Sequence, residues 1–469
     1  MGDLRDPSEP HAPVLPTHPG DSTAEPDAGP PRSRLSDLGR RVAESAPVRA
    51  LAPAGSIAAE NLRDPKRVLV VVLLVSFVLR VIWLNLPGGA LIFDETYYVN
   101  AARILLGLPA TAHYVGSPPG LDPNSEHPPL GKLLIAGSML LFGDNGIGWR
   151  VPSVIAGMIA LVAIYGIVRA LHRSPWIAVA VVAIVSFDNL TFVHGRIGTL
   201  DILFLAPMLV SAWLALERRW VLAGVLMGVA LLIKIPAIYG VGAVLLYVLL
   251  TEGPAWWRAR HVPLRAVIGP GLFVVLTGVV FIGGLTALDS RFSSYKNPVD
   301  HIDRMVSYGV NLETPITTAY CPGVDSKPWQ WIFNECQIGY LRVDVTTSSG
   351  GQVTGKYAKV DFRGALNPLL AAAIPLAALF SLWYAWRRRS RLALWAIAWG
   401  AANYLPYLAL AIFTPRIEYL YYFVPLVPAV AITIVLLLYR GGLPRPVRWA
   451  YLAAYAIGFL AYFPFRQVP

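Results

Sequence analysis

The chain has 469 residues, of which 55% are hydrophobic and only 14% charged, with a formal charge of +11. Soluble domains carry roughly 25% charged residues, so these proportions argue against a soluble core. Nor does the positive surplus mark a nucleic-acid binder: residues 1–66 hold 8 basic and 10 acidic groups, so the whole surplus lies in the hydrophobic remainder.

Residues 1–66 contain eleven of the 39 prolines and no Phe, Trp or Tyr. Such a segment cannot bury enough apolar surface to offset the entropy of ordering it, and it is predicted to be a disordered cytoplasmic tail. No short apolar stretch with a small-residue cleavage site follows Met1, so the first long apolar run, from Val68, is expected to be a retained anchor. The second domain is then 67–469. A spanning helix needs about 20 apolar residues. Eleven candidates follow, at 68–87, 147–168, 175–190, 200–217, 220–234, 236–251, 266–287, 366–386, 392–413, 419–439 and 449–465. The run 220–251 is read as two short helices, because Lys234 and Pro236 interrupt it.

Charge asymmetry orients these spans. With the tail cytoplasmic, the five inner loops at 169–174, 217–219, 252–265, 387–391 and 440–448 contain 14 basic and 2 acidic residues, whereas the outer segments hold 15 and 16. This is the positive-inside pattern for an odd number of spans with the C-terminus outside. The outer side then collects Asp94, Glu95, His127, Lys132, Arg150, Asp188, His194, Arg196, Asp201, Lys234 and Arg416, mostly at helix ends. Ionisable groups at membrane depth are expensive unless paired or solvated, so this collection is the candidate site. Taken singly, each is equally well a snorkelling interfacial charge.

Two long extracytoplasmic loops frame it. In loop 88–146, Phe93-Asp94-Glu95 precedes an amphipathic stretch at 96–106, and His127-Pro128-Pro129-Leu130-Gly131-Lys132 leads into an apolar run at 133–142. That run is too short to span and reads as an interfacial helix. Loop 288–365 contains Ser326-Lys327-Pro328-Trp329-Gln330-Trp331, and the alternation over 341–360 about Ser348-Ser349-Gly350-Gly351 predicts a small hairpin. Trp329 and Trp331 are placed to stack on a sugar or to anchor at the interface. Cys321 and Cys336, the only cysteines, fall in the same loop on the oxidising side. They are expected to form a disulfide worth about 3 kcal/mol by loop closure, two buried thiols being the alternative. No Cys or His at ligand spacing accompanies them, which disfavours zinc.

These blocks together resemble the lipid-carrier-dependent protein O-mannosyltransferases, an all-α polytopic family with the C-type glycosyltransferase fold. The resemblance runs through Leu91-Ile92-Phe93-Asp94-Glu95, 127–132, Gly148-Trp149-Arg150-Val151-Pro152-Ser153, 187–196 with Leu200-Asp201, 224–234, 326–331 and 416–428. The chain departs from the pattern where Ile235-Pro236 follows Lys234 and where Asn334-Glu335-Cys336-Gln337 replaces an arginine-proline element. No loop is long enough for a β-trefoil insert. The resemblance implies an inverting transfer of mannose from a polyprenyl-phosphate carrier to Ser/Thr hydroxyls of secreted or membrane proteins, at the outer face of the cell membrane.

The resemblance makes Asp94 the catalytic base, with Glu95 raising its proton affinity or starting the following helix. Candidates for the leaving phosphate are Lys132, Arg150, Arg196, Lys234 and Arg416. His127 orients the acceptor or Asp94, or caps a turn. In the structural reading, Arg196 pairs with Asp201, and Arg150 with Asp188. No obligatory metal is expected, because a monophosphate carrier lacks a diphosphate to bridge. Expected partners are the lipid-linked donor, a secreted acceptor protein or peptide, membrane lipids and the secretion machinery. The competing readings are a transferase acting on a lipid or glycan, and a polyprenyl-lipid flippase, which inverted repeats would favour.

Overall fold

The computed structural model describes residues 63–313, 320–321, 323–349 and 352–466. The expected disordered tail therefore lies, up to residue 62, outside the described residues, as do Gly350 and Gly351 at the hairpin tip. Helix α1 (Pro65–Val81) starts where the Asp64 side chain accepts the Lys66 amide and Pro65 takes the first helical position. The amphipathic helix α2 (Glu95–Leu105) and the 13-residue apolar helix α3 (Leu130–Phe142) follow in the first long loop.

The bundle continues with α4 (Gly146–Leu171), α5 (Pro175–Ser186), the single-turn-and-a-half α6 (Asn189–His194), α7 (Leu200–Leu216) and α8 (Trp220–Leu231). After α8 the chain extends at Lys234, turns through a 3₁₀ segment Ile235–Ala237 and enters α9 (Ile238–Ala259). The helix break read from Lys234 and Pro236 is thus present, and it carries the Lys234 side chain at the helix junction. The long α10 (Leu264–Phe292) leads into the second loop.

That loop holds more helix than its sequence showed: α11 (Pro298–Asn311) and the short α12 (Pro328–Ile332) precede the strands β1 (Ile338–Ser349) and β2 (Gln352–Gly364). The strands pair antiparallel, with Val343 opposite Val360 and Val345 opposite Tyr357. The cysteines are joined as Cys321–Cys336. The remaining helices are α13 (Pro368–Arg388), α14 (Arg391–Phe413), a 3₁₀ segment Leu420–Leu426 running into α15 (Val427–Arg440), and α16 (Arg445–Ala461).

Helix occupies every one of the eleven apolar stretches. Six are long and apolar enough to cross a membrane, at Gly146–Leu171, Ile235–Ala259, Leu264–Phe292, Pro368–Arg388, Arg391–Phe413 and Leu420–Arg440; the other expected spans are shorter helices. The faces of α10 and α13 that turn away from the bundle are apolar, with Val275, Val279, Leu376 and Leu379 all more than half exposed. Such outward apolar faces suit contact with lipid.

Candidate active site

A cavity of about 590 Å³ opens where α2, the α8–α9 junction, α11 and the segment after α14 converge. Asp94, His127, Lys234 and Arg416 line it together with Tyr98, Tyr308, Tyr419, Tyr421 and Tyr422. Its size suits a small sugar phosphate.

Asp94 stands at the N-terminus of α2 without capping it; only its backbone carbonyl enters the helix, accepting the amides of Tyr97 and Tyr98. Phe93, just before it, has φ of +54°, a left-handed conformation that a bulky residue holds only when its surroundings fix it. Here the Phe93 ring is clamped by Tyr340 of β1, stacked at 4.2 Å, and by Tyr421 at 5.5 Å. Burial pushes the Asp94 carboxyl up to about 7, opposed by Lys234 and reinforced by Asp201. A carboxylate held close to neutrality has the proton affinity that a general base needs. The sign follows directly: above pH 7 Asp94 is free to take a proton, and below it the base is already occupied. The wild-type pH profile should thus show an acidic limb centred near 7, falling about tenfold per pH unit below it; a rate flat from pH 5 to 8 would contradict the assignment.

Glu95 points the other way. Its carboxylate is fully buried and accepts four hydrogen bonds: from Arg150 Nε (2.8 Å) and the Gly198 amide (2.7 Å) on Oε1, and from the Ile92 amide (2.7 Å) and Arg150 Nη2 (2.9 Å) on Oε2. A side chain at position 198 would meet the Trp149 carbonyl at 2.9 Å, so this approach requires glycine. Arg150 gives its remaining N–H groups to the carbonyls of Leu84, Leu86 and Ala90. With all five donors committed, Arg150 braces the Asp94 loop rather than a phosphate, and its acidic partner is Glu95, not Asp188. Asp188 instead caps α6 through the Thr191 amide and accepts the Asn367 amide.

Two further cations are engaged away from the cavity in the same way. Lys132 is completely buried and donates to the carbonyls of Asn124 (2.6 Å) and His127 (2.7 Å) while pairing with Asp122 at 2.6 Å. It thereby moors the 122–127 loop that carries His127, whose imidazole burial keeps neutral. Arg196 donates to the carbonyls of Leu79 and Ile82 and lies over Phe465, outside the cavity. It does not pair with Asp201, which binds Lys234 at 2.8 Å. His194 bonds Tyr340 through Nε2 (2.8 Å) and Thr199 through Nδ1.

Lys234 and Arg416 are the two predicted cations on the cavity wall. Arg416 donates through Nε to the Gly309 carbonyl and through Nη2 to the Tyr422 hydroxyl (3.1 Å). The 326–331 motif holds it from behind: Lys327 donates to the Arg416 carbonyl, and the Ser326 amide to that of Glu418. Trp331 is buried, its indole N–H donating to Ser326 Oγ, so it packs the loop and does not face a sugar; Trp329 is half exposed. Among the described residues no group of three or more His, Cys, Asp or Glu side chains is arranged to hold a metal ion. Sequence reasoning missed Tyr340 and Tyr308; the first sits in an alternating strand and the second in an unrecognised helix, and neither carries a motif.

The sequence profile described as dolichyl-phosphate-mannose-protein mannosyltransferase matches residues 126–280. A polyprenol-phosphate-mannose--protein mannosyltransferase of Corynebacterium glutamicum is 25% identical over 74% of this chain and 77% of its own length. The enzyme of the same description from Mycobacterium tuberculosis is 35% identical over 28% of this chain and 24% of its own. Among solved structures, the Saccharomyces cerevisiae protein O-mannosyltransferase Pmt1-Pmt2 complex bound to the sugar donor superposes with a TM-score of 0.62 at 12% identity, covering 85% of this chain and 90% of that one. The chain carries the C-type glycosyltransferase fold. ArnT of Cupriavidus metallidurans bound to undecaprenyl phosphate shares it, with a TM-score of 0.51 at 20% identity over 87% of this chain and 64% of that chain. In this C-type chain, then, Asp94, Lys234 and Arg416 come from three distant segments to one cavity.

Proposed function

We propose that the protein is an inverting mannosyltransferase that moves mannose from a polyprenyl-phosphate carrier to Ser or Thr hydroxyls of secreted or membrane proteins at the outer face of the cell membrane. The observation that carries this is the convergence of one near-neutral carboxylate and two cations on a single cavity. Asp94 takes the proton of the acceptor hydroxyl as its oxygen attacks C1 of the sugar. The bond from C1 to the phosphate oxygen breaks on the opposite face, and Lys234 and Arg416 stabilise the charge gathering on the departing phosphate. The tyrosine lining supplies apolar faces and hydroxyls for a sugar ring. The positive-inside pattern supports a cytoplasmic N-terminus, with the cavity and C-terminus outside, and the disulfide fits the oxidising side.

The direct test is to supply membranes containing the protein with labelled polyprenyl-phosphate mannose and Ser/Thr-rich secreted peptides. Label in the peptide is expected; label confined to a lipid or glycan would overturn the protein acceptor. Replacing Lys234 with Met removes one phosphate contact and leaves Asp201 unpaired. We expect roughly 10- to 100-fold lower kcat/KM for the donor, measured by initial rates, with a smaller change in acceptor KM.

A further inference from the structure

A pair of hollows lies at the other end of the helices that bear the cavity of Asp94. One, of about 360 Å³, is walled by α7, α9, α10 and α14; the next, of about 370 Å³, is walled by α9, α13 and α14. Tyr407 on α14 lines the Asp94 cavity and Trp395 lines this one, twelve residues and so about 18 Å of helix apart. The two hollows adjoin, sharing Arg218, Thr251, Glu252 and Arg391; Arg265 belongs to the first alone and Arg389 to the second alone. Four arginines thus face one carboxylate, and among the described residues that carboxylate's one ion pair is a long 3.6 Å contact with an exposed Arg218.

The site has a built wall. Arg391 is steadied by donating from Nε to the Tyr247 hydroxyl (3.2 Å). Trp220 is pressed onto α10 at Gly269, where a Cβ would stand 2.2 Å from its indole nitrogen. Around the mouths, the outward faces of α10 and α13 are apolar, with Val267, Ile268, Leu382 and Trp386 exposed. A soluble anion would use the arginines and leave those faces idle. An amphiphile uses both.

We infer that these twin hollows bind an anionic phospholipid with two phosphates, of the diphosphatidylglycerol (cardiolipin) class. One phosphate lies between Arg218, Arg265 and Arg391, the other by Arg389 and Arg391, and the acyl chains run along α10 and α13. Guanidinium groups bind phosphate oxygens bidentately, and basic pockets between membrane helices recognise such headgroups. Two adjoining lobes, each with its own arginine, match two linked phosphates better than one.

The full chain is reconstituted in phosphatidylcholine nanodiscs containing cardiolipin or phosphatidylglycerol at equal charge, released, and read by native mass spectrometry. Wild type is expected to retain cardiolipin under activation that strips phosphatidylglycerol. Arg218→Gln/Arg265→Gln/Arg391→Gln should retain at least roughly tenfold less. Arg265→Gln alone, which breaks no side-chain hydrogen bond or ion pair among the described residues, should show a several-fold loss and guards against misfolding of the triple variant. Arg173→Gln/Arg445→Gln, at the same end of the bundle but outside both hollows, should retain cardiolipin as wild type does. Equal retention of the two lipids, no retention by wild type, or an equal loss in the Arg173/Arg445 control would each overturn the proposal. None of these readouts depends on the sugar-transfer reaction.

Discussion

Asp94→Asn is expected to lower turnover about 10²- to 10⁴-fold, the usual contribution of a positioned general base, with little change in the donor KM. The amide is nearly the same shape, so the Phe93 turn and the start of α2 should persist. What disappears is the site for the hydroxyl proton, and with it the acidic limb of the pH profile. Single-turnover rates with labelled donor separate this from slow product release. Turnover within a few-fold of wild type would remove Asp94 from the mechanism and move attention to Glu126 and His127, which also line the cavity.

Arg150→Leu is expected to destabilise the folded protein by about 3–5 kcal/mol, because it leaves the Glu95 carboxylate buried and uncompensated. Three loop carbonyls, of Leu84, Leu86 and Ala90, lose donors at the same time. The loss should be read as monodisperse protein surviving a heating series in detergent. Removing both charges, as Glu95→Met/Arg150→Met, should recover a large part of it, since the burial of a lone charge dominates the penalty. If Glu95 took part directly in the chemistry, the double variant would be stable and dead. With Glu95 as a strut, the surviving folded fraction keeps measurable transfer.

The bundle helices were legible because each rests on a run of consecutive apolar residues, information that is local in sequence, although several runs fold as helices of only 12 to 17 residues. The break at Lys234-Ile235-Pro236 was legible for the same reason. Helix α11 was not read, although Asn297 caps it, Pro298 opens it, and Ile302 and Met305 form an apolar stripe packed toward Leu285 and Leu232. Its mixed charges hid that stripe. The cavity was half legible: motif and expected side of the membrane singled out Asp94, His127, Lys234 and Arg416, which line it, but pairing is a tertiary property. Lys132, Arg150 and Arg196 look like phosphate ligands until the fold hands their N–H groups to buried carbonyls and carboxylates. Only Lys234 and Arg416 keep a face on the cavity.

The order of synthesis gives this divided site a further property. Asp94 belongs to the first loop, Tyr340 to the hairpin that clamps its turn, and Arg416 to the stretch before α15, more than three hundred residues downstream. A growing chain that has inserted its early helices holds a carboxylate and one lysine but neither the clamp nor the second cation. On the proposed mechanism, competence therefore arrives only when the segment carrying Arg416 is in place, and a truncated chain lacking it is expected to transfer no sugar.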